Sequence, residues 1–167
     1  TRCDMFKGDA EYETICRTRD SINIPLIANG DIDSTAKARH ILSVTGANAV
    51  MIGRGTQGDP WLPGIIASEL LGHSRIRPVI EEQIRTMAEL IRQIQIFYGE
   101  PTGIKMARKH MQWFLKRFAN GAKAWSQLHS IVDPDEQYQH FLELIDGGGL
   151  RDGAQRPGQK VYRSVFE

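Results

Sequence analysis

Cysteine is scarce in this 167-residue chain: Cys3 and Cys16 are the only two. That excludes a disulfide framework, and no C-x-x-C spacing offers a metal site. Long apolar runs are also missing. No stretch of 18 apolar residues occurs, so no membrane-spanning helix is expected. No signal peptide opens the chain, and a cytoplasmic location is the default expectation. Nor is there an excess of one charge. Lys and Arg total 21 and Asp and Glu total 20, for a net charge of +1. Global charge therefore names no polyanionic partner. What is present is ordinary globular composition, with 41% hydrophobic and 25% charged residues. The chain opens on Thr1 in what reads as a loop, as expected of a piece of a longer protein.

The charges are unevenly placed. Residues 1–74 hold 7 basic and 9 acidic side chains, and residues 75–167 hold 14 and 11. From Thr102 to Trp125 there are six basic residues and no acid. The hydrophobic pattern changes along the same boundary. Residues 1–74 alternate helix and strand. Tyr12, Ile15 and Cys16 have helical spacing within residues 9–20. Residues 24–28 (Ile-Pro-Leu-Ile-Ala) and 48–52 (Asn-Ala-Val-Met-Ile) read as short strands buried on both faces. Between them, Asp33 or Ser34 caps a helix that runs to about Val44, with Gly46 at its C-terminal end. This is a βαβ unit, hence parallel strands. A further helix is expected from Pro60 to Leu71.

Residues 75–147 read as all helix. Ile80, Ile84, Met87, Ile91, Ile94 and Tyr98 form an apolar stripe that stops at Gly99-Glu100-Pro101. Helices follow over 103–118 and 121–132. Asp133-Pro134-Asp135-Glu136 caps a last one, whose buried face is Tyr138, Phe141, Leu142 and Ile145. Residues 148–167, rich in Gly, Arg and Gln, read as a mobile tail. The fold class expected is α/β followed by all-α.

Chemistry in the first half gathers at the strand ends. Asn29-Gly30-Asp31 follows one strand and Gly53-Arg54-Gly55 the next. Parallel α/β architectures bind ligands at the carboxyl ends of their strands. Glycine lets the backbone approach an anion with its N–H available, and Arg54 adds a forked cation. The pattern fits the phosphate site that barrel enzymes build from their last two strand-to-helix loops. The same glycines also suit plain tight turns. Asp31, acidic beside an anion, is expected to bond through its backbone N–H or to orient Arg54.

In the second half, residues 103–118 divide by angle at about 100° per residue. Ile104, Ala107, Met111, Phe114 and Phe118 share one face. Lys105, Arg108, Lys109, Gln112 and Lys116 share the adjacent one. A solvated outer face would read this way. Yet a single sign of charge also suits RNA phosphates, which confer affinity with little sequence reading. His110 and Trp113 lie away from the basic centre, His110 being as well suited to packing as to contact. Arg151, Arg156, Lys160 and Arg163 in the tail would add loose electrostatic contact.

The text of these motifs resembles the tRNA-dihydrouridine synthase family, in its bacterial branch, over roughly residues 1–145. IPLIANGDI, TGANAVMIGRGTQGDPWL, FYGE, KMARKHMQWFLK and the opening TRCDMFKGDAEYETI occur in the family's order and spacing. The resemblance implies the last βα units of a flavin-binding TIM (β/α)8 barrel followed by a C-terminal helical bundle that binds tRNA. It implies flavin mononucleotide (FMN) as cofactor, NADPH as reductant and uridine in tRNA as substrate; the residues themselves point to no membrane and no metal as partners. Asn29, Gly30, Asp31, Gly53 and Arg54 match the flavin-phosphate loops. Lys105, Arg108, Lys109 and Lys116 fall in the tRNA-docking helix. Gln57, Gly58 and Trp61 match the segment that closes the barrel. The family's flavin-ring residues and its proton-donating cysteine lie in a part this chain lacks. Neither Cys3 nor Cys16 matches that cysteine, so no catalytic residue is assigned and the chain alone is expected to be inactive. A flavin-dependent oxidoreductase of small metabolites, of the dihydroorotate dehydrogenase type, fits the phosphate loops equally but not the basic helix. A non-catalytic RNA-binding fragment is the third reading.

Overall fold

The structure, a computed structural model, describes residues 10–146 and 150. Cys3 and nearly all of the expected tail lie outside them; Leu150, within that tail, is buried. The described residues divide into two compact units, up to Ile76 and from Arg77 on.

The first unit is a two-stranded parallel sheet with three α-helices. Helix α1 spans Tyr12–Asp20, strand β1 Ile27–Asn29, α2 Thr35–Thr45, β2 Ala49–Met51 and α3 Leu62–Leu70, with a 3₁₀ turn at Arg54–Thr56. Both ends of α2 have a local cause. The Ser34 side chain accepts from the Lys37 N–H at 3.3 Å, which selects Ser34 over Asp33 as the cap of α2. Gly46 ends that helix in the left-handed conformation, φ 63°.

The strands pair in parallel, with Ile27 opposite Ala49, Ala28 opposite Val50 and Asn29 opposite Met51. Side chains alternate across a strand, so this register puts Ala28 and Val50 on one face. There they join Ile32, Ala38, Ile41, Leu62 and Ile66, with Tyr12 and Ile15 packed against them. The expectation of strands buried on both faces is corrected here. Ile27 is 59% and Met51 55% exposed. The helices cover the Ala28–Val50 face, and among the described residues no layer covers the other. The strands are also shorter than expected. Pro25 has no N–H to give to a ladder, and only three residue pairs form.

The second unit is helical: α4 Ile80–Tyr98, α5 Thr102–Leu115, α6 Gly121–Leu128 and α7 Pro134–Asp146. Its core holds Ile84, Met87, Ile91, Ile104, Met111, Phe114, Leu115, Leu128 and Phe141. Tyr98, placed on the buried stripe by its spacing, is 49% exposed because α4 ends there. Two glycines permit close helix packing. A Cβ on Gly103 would come within 2.7 Å of the Gln95 backbone, and one on Gly121 within 1.8 Å of the Leu115 carbonyl oxygen. The second contact also explains why α5 stops at Leu115 rather than 118: the chain turns there to bring Gly121 onto the helix end. Helix α6 likewise stops at Leu128, short of the expected 132. Asp133 caps α7, its carboxylate accepting from the Glu136 N–H at 2.8 Å. Of the face expected on α7, Phe141 is fully buried, Tyr138 and Leu142 are half-buried, and the Ile145 side chain lies outside the described set. Gln137 is the buried residue that periodicity missed. Its Oε1 accepts from Gln95 Nε2 at 2.9 Å.

Candidate flavin-phosphate loops and basic helix

The two loops that follow β1 and β2 leave neighbouring strand ends, because Asn29 pairs with Met51. Two contacts hold them together. Arg54 Nη2 donates to Asp31 Oδ1 at 2.6 Å. The Gly55 backbone lies against the Ile32 carbonyl, which an added Cβ would approach to 2.2 Å. Gly53 faces Asn29, whose Oδ1 would be 3.9 Å from a Cβ there, with nothing closer. Gly53 and Asn29 are both exposed. The backbone at Gly53 is therefore open to a ligand that a side chain would crowd.

The first loop is set by its backbone. Gly30 has φ 154° and Asp31 φ 48°, both positive. A Cβ on Gly30 would meet Ala10 Cβ at 2.5 Å, so glycine is needed for space as well as for conformation. Asp31 is of the type that tolerates the left-handed region. In that conformation its Oδ2 accepts the Ala10 N–H at 3.0 Å while Oδ1 takes Arg54. Tyr12 Oη donates to the Gly30 carbonyl at 3.2 Å. Thr56 Oγ1 donates to the Gly53 carbonyl at 2.9 Å and steadies the second loop.

The five residues expected here, Asn29, Gly30, Asp31, Gly53 and Arg54, thus gather at one end of the sheet. The expectation that Asp31 orients Arg54 is met by the ion pair. Tyr12 and Ala10 were missed as supports. Tyr12 carried only the periodicity of a core position, and a bond across 18 residues leaves no trace in local spacing. A group with a terminal phosphate fits the observed cradle: an open glycine backbone, an amide side chain and a fixed guanidinium at adjacent strand ends. Of the barrel-closing segment, Gly58 is buried, Trp61 half-buried and Gln57 exposed.

On α5, Lys105 and Lys109 are exposed, as is Lys116 just past its end. Arg108 is placed differently. It is half-buried, and its Nη2 donates to the Ile131 carbonyl at 2.8 Å, tying α5 to the segment between α6 and α7. Its Nε is buried without a partner. Arg117 lies over the rings of Phe114 and Phe118, 5.6 Å from each centroid. His110 packs edge-on to Trp113 at 5.1 Å. Burial holds the His110 pKa below the ordinary histidine value, and the neighbouring Lys109 charge lowers it further. Among the described residues there is no group of three or more His, Cys, Asp and Glu able to hold a metal, and no helix long and apolar enough to cross a membrane.

Comparison with known proteins bears on the whole of this arrangement. The sequence profile described as dihydrouridine synthase (Dus) matches residues 1–146. The tRNA-dihydrouridine synthase B of Shewanella oneidensis is 46% identical over 150 residues, 87% of this chain and 46% of that protein. The tRNA-dihydrouridine synthase B of Pseudomonas aeruginosa is 39% identical over 154 residues, 89% and 46% respectively. That of Pseudomonas syringae is 35% identical over 149 residues, 89% and 44%. The chain spans under half the length of these curated relatives. With a profile covering most of its residues and the strand-end loops in the expected places, the chain belongs to the dihydrouridine synthase family.

Proposed function

We propose that this chain is the C-terminal portion of a cytoplasmic tRNA-dihydrouridine synthase, an enzyme that reduces uridine in tRNA to 5,6-dihydrouridine. The observation that carries the reading is the joining of Asn29-Gly30-Asp31 to Gly53-Arg54 at adjacent parallel strand ends, within a family member. Residues 1–74 contribute the last βα units of a TIM barrel, and residues 75–147 the tRNA-docking helices. A bound FMN, reduced by NADPH, supplies the hydride that the uracil ring receives. Around it, the Gly30 and Gly53 loops would hold the phosphate end, with close backbone approach at Gly53. Arg54 supplies a cation whose direction Asp31 sets. Lys105, Lys109 and Lys116 take tRNA phosphates, while Arg108 supports that face by anchoring α5. Cys16, half-buried on α1, is assigned no proton transfer, and the acid belongs to the rest of the enzyme. The chain by itself is accordingly inactive.

The test is a chimera. The chain is joined to the remaining part of the Shewanella oneidensis relative and assayed for NADPH-dependent reduction of tRNA uridine. Activity is expected, with Arg54→Ala weakening FMN binding at least about tenfold, since one charge-assisted bond is worth roughly 1.5–3 kcal/mol. A folded chimera that takes up FMN equally well with Arg54→Ala refutes the phosphate assignment. One that reduces a free pyrimidine but not tRNA supports the small-metabolite alternative.

A further inference from the structure

The lysines of α5 do not stand alone on its surface. On a helix, residues three and four apart are neighbours. Trp113 is four residues after Lys109 and three before Lys116, so at the edge of the basic stripe it neighbours two exposed cations. It is half-buried, whereas Met111, Phe114 and Leu115 are buried. It is braced by a neighbour: the His110 ring stands at 75° to it with centroids 5.1 Å apart. An edge-to-face brace limits rotation of the indole and holds it as a preformed ring on the helix surface. Lysine contacts alone would hold any phosphate backbone, paired or unpaired. A flat ring among them adds a preference that charge cannot, because stacking needs a base that has left its own stack.

We propose that Trp113, braced by His110 and flanked by Lys109 and Lys116, stacks on an unpaired base of RNA whose flanking phosphates the two lysines hold. The proposal rests on the tRNA-docking reading of this helix and gives it a substrate class: unpaired rather than duplex segments. Cations beside an aromatic ring suit a nucleic acid, which presents phosphates and bases together.

The test uses the full 167-residue chain and two labelled probes, a single-stranded oligouridine and an A-form RNA duplex of equal charge. Trp113→Leu, which keeps an apolar side chain and removes the ring, should weaken oligouridine binding about tenfold, within the range of one base–aromatic stack. It should change duplex binding less than twofold. Trp113→Phe should restore most of the lost affinity, with circular dichroism matching the unaltered chain. Lys109→Ala with Lys116→Ala should weaken both probes. Equal losses on both probes from Trp113→Leu, or no loss on oligouridine, overturn the stacking proposal and leave the docking reading standing. If the unaltered chain binds neither probe, the docking reading falls and the stacking proposal with it.

Discussion

Asp31 holds the Arg54 guanidinium at 2.6 Å with one carboxylate oxygen and the Ala10 N–H at 3.0 Å with the other. A single side chain in the left-handed conformation, φ 48°, thereby joins the loop after β1 to the loop after β2 and to the segment entering α1.

That geometry separates two substitutions. Asp31→Asn keeps a residue that tolerates positive φ and one hydrogen-bonding oxygen, but loses the charge. Asp31→Ala loses both bonds and places a less tolerant residue at φ 48°. The exposed ion pair by itself contributes little, on the order of 0–1 kcal/mol. Alanine is therefore expected to destabilise the chain by about 1 kcal/mol more than asparagine. Urea unfolding of both variants at neutral pH checks the order, and a reversed order contradicts it.

The exposed lysines of α5 predict a salt effect. Lys105→Ala with Lys109→Ala should weaken tRNA binding and flatten the dependence of log affinity on log salt by up to about one unit per lost contact. Glu82→Ala, on the exposed surface of α4, should not flatten it. A folded double variant that keeps both affinity and slope would show these lysines to be a solvated face. Arg108→Ala is expected to act otherwise. It breaks the bond to the Ile131 carbonyl, so thermal unfolding should shift down while the salt slope changes least.

His110 predicts a pH dependence. Its folded-state pKa is depressed by burial first and by Lys109 second, so the neutral ring is favoured in the fold. The unfolded chain then binds the proton more readily. This contribution to stability is complete above about 6.5, the ordinary histidine value, and is lost as pH falls below it. The difference in unfolding free energy between the unaltered chain and His110→Gln should therefore shrink or change sign on acidification through that range. A difference independent of pH would refute it.

Gly121→Ala should be costly out of proportion to one methyl group. The new Cβ would stand 1.8 Å from the Leu115 carbonyl oxygen, and that neighbour is backbone. The start of α6 must move off the end of α5, with a loss of roughly 1–3 kcal/mol as in other overpacked sites. Chemical unfolding measures it. Gly64→Ala is the useful comparison: the nearest atom to its Cβ is Arg75 Nη1 at 2.9 Å, the end of a flexible side chain, so a smaller loss is expected.

Much of this molecule was legible in its residue order, for local reasons. The helix α4 and the cap and glycine ends of α2 follow from periodicity and from side chains within four residues of the backbone groups they satisfy. The strand-end motifs were legible as loops at the ends of neighbouring strands, and their wording carried the family. What the order could not declare is set by contacts between distant segments. The open face of the sheet depends on which layer packs where, and an alternating pair such as Ile27 and Ala28 looks the same in either case. Tyr12 on the Gly30 carbonyl, Asp31 on Ala10 and Arg108 on Ile131 join residues 18 to 23 positions apart. Spacing placed Arg108 on the basic stripe, since an angle on a helix records direction and not reach. The tertiary structure gave that guanidinium the Ile131 carbonyl and left Lys105, Lys109 and Lys116 in solvent, because a long side chain at the edge of a stripe meets whichever neighbour the fold brings to it.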